Sequence, residues 1–173
     1  MATQPIADRL IPVEEYLTTG YEPDCEYRDG LLEERNLGEF DHSFLQGMLV
    51  TLFNSQIADW GVFALPEQRV QLRPRRYVVP DLAILRMGTP RERILTRPPL
   101  ITIEIMSPED SLRRTTNKAV EYREFGVENI WVIDPETFEA EVHTPEGSTK
   151  VADGVLRVPG TPIEVPLEAL DRD

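Results

Sequence analysis

The sequence is poor in the residues that build thiolate metal sites and disulfide frameworks. It holds one cysteine, Cys25, and two histidines. One cysteine forms no internal disulfide, and one thiol with two imidazoles is too few for a thiolate zinc site. Any metal here is therefore held mainly by oxygen. Long apolar runs are missing too: nothing approaches the roughly 20 residues that cross a bilayer. The amino-terminal MATQPIADRL lacks the basic and apolar regions of a signal peptide, so no membrane partner and a cytoplasmic protein are the expectation. Aromatic residues make up 8 % of the chain, which offers no obvious platform for sugars. Positive charge is outnumbered, 18 basic against 31 acidic residues, for a formal net charge of −13. A polyanion would be repelled at long range by such a surface.

What is present is a globular composition, 40 % hydrophobic and 28 % charged, on 173 residues. That length fits one domain over 1–173. The basic residues are also unevenly spread: Arg69, Arg73, Arg75, Arg76, Arg86, Arg91, Arg93, Arg97, Arg113 and Arg114 place ten of the eighteen between 69 and 114. A local patch can bind DNA where the average charge does not; the alternative is a set of ordinary solvated arginines.

Element signals run through the chain. PVEEYLTT reads as a short helix over 12–19, with proline at its start and Gly20 after it. CEYRDGLLEER carries Asp29-Gly30 between two short runs, a β-hairpin signal; Glu26 and Arg28 share one side of its first strand, Glu33 and Arg35 one face of its second. From about Glu39 to Trp60 the apolar residues follow helical spacing, with His42 near the start and Gly61 at the end. VFAL and EQRVQL read as one strand or two, broken at Pro66, with Gln68, Val70 and Leu72 on one face. YVVPDLAIL and LITIEIM read as strands, and Ser107-Pro108-Glu109-Asp110 as the start of a helix running to about Phe125. NIWVI and FEAEVHT form an antiparallel pair, followed by weaker strand signals and a last turn, PLEALD.

Two residues oppose this pattern. Asp81 and Glu104 each sit in a strongly apolar, β-branched run, where burial and β-propensity disfavour a carboxylate. Pro80 removes one ladder hydrogen bond beside Asp81, which bends the strand or puts it at an edge. If the two strands are neighbours, about 4.8 Å apart, carboxylates on one face share one hard cation; the alternative is two acids on a solvated face. Lys118 is four residues before Tyr122 on the following helix, on the flank of its buried stripe of Leu112, Thr115, Ala119 and Tyr122; the alternative, which the sequence alone favours, is a solvent-exposed lysine snorkelling along the core edge. Two oxygen ligands and an ammonium are the parts phosphodiester hydrolysis needs.

PDLAIL, ITIEIMSPED and KAVEYREFGVENIWVIDPET together, with CEYRDGLLEERNLGEFDHSFLQGML before them, resemble the Uma-type family of restriction endonucleases in the PD-(D/E)XK nuclease superfamily, over roughly residues 12 to 145. The resemblance implies an α/β fold, a restriction-endonuclease-like mixed β-sheet flanked by helices, with a β-rich tail after the core. It implies a DNA endonuclease in which Asp81 and Glu104 bind Mg2+ or Mn2+. The superfamily pattern has lysine two residues after its second acid; here Met106 stands there, and the resemblance implies that Lys118 reaches the site from the next helix. Glu33, His42 and Gln68 are further candidates, the first two approaching from the hairpin and the long helix. Cutting both strands implies paired sites, hence a homodimer. The competing reading is a catalytically inactive nuclease-like binding or assembly module, prompted by Met106 and the net charge. A glycosidase with paired carboxylates ranks lower, because neighbouring strands set the acids too close for an inverting mechanism.

Overall fold

The computed structural model describes residues 9–36, 38–107 and 112–171, with the side chains of 112–114 outside that description. Two main sheets form the molecule. The smaller has the order β2-β1-β5-β4, built from β1 (Cys25–Arg28), β2 (Leu31–Glu34), β4 (Val70–Arg73) and β5 (Arg76–Val78). The larger has the order β10-β9-β8-β7-β6-β3, from β3 (Val62–Pro66), β6 (Leu82–Arg86), β7 (Ile101–Ile105), β8 (Asn129–Ile133), β9 (Ala140–Thr144) and β10 (Gly147–Lys150). It is mixed, as expected: β7 and β8 are parallel, joined through the helix α4 (Leu112–Phe125), and the other pairs are antiparallel. The tail forms a two-stranded ribbon, β11 (Val155–Arg157) with β12 (Glu164–Pro166), and a 3-10 turn at Leu167–Leu170.

Helices cover both faces of the larger sheet because its strands present apolar residues on both. Ile101, Ile103 and Ile105 alternate with Thr102 and Glu104, so one face of β7 is wholly aliphatic. Onto that face pack Leu45, Leu49 and Phe53 of α2 (Phe40–Ser55), with Trp131, Ile133 and the tail residues Leu156, Val165 and Leu170. On the other face Ala83, Leu85 and Ile130 meet Ala119 and Tyr122 of α4. The short helix α1 (Val13–Thr18) closes the small sheet, where Tyr16, Tyr27 and Tyr77 are buried together.

Three expectations change in detail. The helical pattern over 39–60 is two helices, because α2 stops at Ser55 and α3 (Ile57–Trp60) follows before Gly61 turns left-handed at φ 65°. VFAL and VQLR are strands of different sheets; the chain crosses at Pro66 and Glu67, the latter at φ 51°. YVVPDLAIL likewise is not one strand. It ends β5 at Val78 and begins β6 at Leu82 in the other sheet, so Asp81 lies between strands and not in a strand interior. Pro80 explains the break: it has no N–H to donate, and the pairing partner changes there. The segment Pro108–Asp110, expected as a helix start, lies outside the described residues.

Candidate active site

The site forms at the seam between the two sheets. β6 and β7 pair so that Leu82 faces Ile103 and Ala83 faces Thr102, and one step further along the same register brings Asp81 opposite Glu104. The Asp81 segment is fixed on both sides: its carbonyl accepts from the Glu67 N–H (3.1 Å) and from Gln46 Nε2 of α2 (3.0 Å). Asp81 Oδ2 accepts the Ile105 N–H at 2.7 Å, which ties the side chain to the end of β7. Its Oδ1 faces His42 Nε2 at 3.3 Å and Arg35 Nη2 at 3.4 Å.

α4 turns Lys118 inward. Its Nζ is 3.0 Å from each oxygen of Glu104 and 2.6 Å from Glu26 Oε1, and its side chain is 14 % exposed. Tyr122, one turn on, donates its hydroxyl to Glu104 Oε1 at 2.6 Å. Asp81, Glu104, Lys118, His42, Glu26, Arg35 and Met106 all line one pocket of about 60 Å³.

Electrostatics follow from this crowding. Burial pushes the Glu104 carboxyl up to about 7, with Lys118 opposing and Asp81 and Glu26 adding to the rise. For Lys118, burial favours the neutral amine, but Glu104 and Glu26 outweigh it and raise the ammonium's pKa. Glu26 is also opposed by burial, yet Lys118 and Arg76 hold it below the usual carboxylate range. The hydrogen bond to Asp81 raises His42 against the opposing effect of its burial.

Two candidates stand elsewhere. Glu33 is outside the pocket, its oxygens 2.6 Å from Arg28 Nε and 3.1 Å from Arg76 Nη1. The reason is strand order: Glu33 pairs across from Glu26, but β2 is the sheet edge and β1 lies beside β5, the strand that leads into Asp81. The inner strand's glutamate therefore reaches the seam. Gln68 lines a neighbouring cleft, with Nε2 donating to the carbonyls of Arg69 and Arg93. Sequence reading missed Glu26 and Arg35 as site residues. The signal for Glu26, a carboxylate between Cys25 and Tyr27, is faint because an alternating hairpin strand normally turns such a residue to solvent.

The arginine-rich stretch is divided. Arg76 is 2 % exposed and spent on Glu26, Glu33 and Glu121. Arg69 lies over the Tyr16 ring, while Arg73, Arg75, Arg86, Arg91, Arg93 and Arg97 are exposed. No helix among the described residues is long and apolar enough to cross a membrane.

Among the described residues, no group of three or more histidine, cysteine, aspartate or glutamate side chains is arranged to hold a metal ion. The donors present nevertheless fit a small hard cation. Mg2+ is commonly bound by one or two carboxylates, with water and substrate phosphate completing its shell, and Asp81 and Glu104 supply that pair beside open volume.

The protein is of the mixed α/β class, a mixed sheet between helices with two carboxylates and a lysine gathered where β6 and β7 meet the smaller sheet. The chain belongs to the Uma2 family, described as "Putative restriction endonuclease", whose model matches residues 13–168. A solved structure from Anabaena variabilis, titled as a putative nuclease belonging to DUF820, superposes with a TM-score of 0.80 at 25 % identity, covering 92 % of this chain and 97 % of that one. No curated protein matches the sequence.

Proposed function

We propose that the protein is a divalent-metal-dependent endonuclease that hydrolyses DNA phosphodiester bonds at Asp81, Glu104 and Lys118, in the manner of the PD-(D/E)XK nucleases. The observation that carries this reading is the convergence of all three in one pocket, with the lysine arriving from α4 while Met106 holds the strand position. Asp81 and Glu104 would hold Mg2+ or Mn2+, which when bound activates water and offsets charge on the phosphate. Lys118 has a distinct task. Two carboxylates keep it charged, so it stabilises negative charge on a phosphate oxygen and does not abstract a proton. His42 and Arg35 steady Asp81 Oδ1, and Arg35 adds positive charge at the pocket wall. The exposed arginines between 73 and 97 are the surface offered to the DNA backbone. Cutting both strands calls for two such sites, which makes a homodimer part of the proposal.

The test incubates plasmid and single-stranded DNA with the protein in Mg2+ or Mn2+, beside Asp81→Ala and Lys118→Ala. Cleavage by the unaltered chain that falls at least about a hundredfold in both variants is the expected result. Equal cleavage by all three means contamination and sinks the reading. Met106 motivates a second reading, a nuclease-like module that binds without cutting. Calorimetric titration with Mn2+ separates the two: binding abolished by Glu104→Ala favours the enzyme, and no binding at millimolar metal favours the module.

A further inference from the structure

A lysine brought to a site from a helix needs something to place it, and Glu104 is a poor choice if it also binds the cation. Glu26 of β1 meets the requirement. It is 3 % exposed; its Oε1 lies 2.6 Å from Lys118 Nζ and also accepts the Val79 N–H at 3.0 Å, two residues before Asp81. One carboxylate oxygen thus locates both the lysine and the Asp81 segment. Its Oε2 faces Arg76 Nη2 at 3.3 Å, and Arg76 in turn binds Glu121 of α4 at 2.9 Å.

The small sheet and the helix therefore meet through ion pairs of opposite polarity. Lys118 meets Glu26, and three residues on, Glu121 meets Arg76, Arg28 and Arg73. A slip of α4 by one turn would set like charges against each other in a poorly solvated place, a costly arrangement. We propose that Glu26 is the positioning residue of the site, holding Lys118 against the Asp81 segment independently of Glu104. The inference rests on the endonuclease reading for its consequence in catalysis, but the placement of Lys118 is measurable without it.

The chain has two lysines, Lys118 and Lys150, and the second is 80 % exposed, an internal reference. The metal-free full chain is acetylated with an N-hydroxysuccinimide ester, and the Lys118 to Lys150 labelling ratio is read by peptide mass spectrometry. Glu26→Gln raises the ratio by about tenfold or more, whereas Glu121→Gln leaves it within about twofold of the unaltered chain. An unchanged ratio in Glu26→Gln overturns the proposal, and so does an equal rise in both variants, which would mean general loosening of α4. Circular dichroism reports folding. If Glu26→Gln has melted, Glu26→Asp takes its place, keeping charge beside Arg76 while withdrawing the carboxylate from Nζ, with the same rise expected and the same result overturning.

Cleavage supplies the second arm. Glu26→Gln lowers kcat about tenfold or more with KM and Mn2+ affinity little changed, and costs nothing further in a Lys118→Ala background. Equal loss in both backgrounds overturns a role through the lysine. If the unaltered chain does not cut while the labelling behaves as stated, the endonuclease reading falls and the positioning of Lys118 stands; cleavage with an unchanged ratio gives the reverse.

Discussion

Glu104 has an ammonium 3.0 Å from both oxygens and still keeps its proton to about pH 7, because burial and two neighbouring carboxylates outweigh that ammonium. The consequence for stability has a definite sign. Below its usual value of 4.5 the carboxyl is neutral in folded and unfolded chains alike. Between 4.5 and about 7 the unfolded chain has lost the proton that the folded chain retains, so stability falls as pH rises through this window and levels off above it. Glu104→Gln removes that slope. In metal-free buffer its stability relative to the unaltered chain is expected to improve by about 3 kcal/mol from pH 4.5 to above 7, read by urea unfolding at several pH values. At this scale the sequence was legible where a residue broke its own pattern: Asp81 and Glu104 interrupt apolar runs. Glu26 breaks no pattern, since CEYRDG alternates as any exposed hairpin does, and its burial comes from α4, some ninety residues away along the chain.

At the scale of elements, the proposed endonuclease reading has its lysine come from the helix after β7, and β7 and α4 both border the pocket. Met106 follows the last residue of β7 and lines the same pocket as Lys118. Lys118→Met is expected to lose at least about a hundredfold in cleavage, and adding Met106→Lys to regain at least about tenfold of it, measured as single-turnover rates on plasmid. No recovery would mean that the strand position no longer reaches the phosphate. The hairpin offers a simpler test. Gly30 has φ 102° and an added Cβ would lie 3.1 Å from Leu10, so Gly30→Ala should cost about 1–2 kcal/mol by urea unfolding. Most elements could be read from the sequence because their signals are local: Asp29-Gly30 for the hairpin, helical spacing for α2, alternation for β7. The strand through Asp81 was misread because alternation continues across Pro80 while the hydrogen-bonding partner changes, and pairing is not a local property.

For the whole molecule, Arg76 is the joint between the small sheet and α4. Its guanidinium, 2 % exposed, contacts Glu26, Glu33 and Glu121 from three elements. Arg76→Met leaves buried carboxylates facing one another and should destabilise the fold by about 3 kcal/mol in urea, with an unchanged denaturant slope. Part of that loss should return in Arg76→Met with Glu121→Gln. The arginine cluster thus divides its duties. Its most buried member holds the architecture together, while six others remain on the surface of a protein whose net charge is −13.

By itself the sequence determined the class of fold, the family and the two acids of the seam, because hydrophobic periodicity, turn residues and misplaced charges are written in short stretches of chain. Only the tertiary structure decided that Asp81 lies between sheets, that Glu26 and not Glu33 reaches the pocket, and that Lys118 points inward. Each of these depends on which strand lies beside which and on how a helix is seated against them, and those are contacts between residues far apart in the chain.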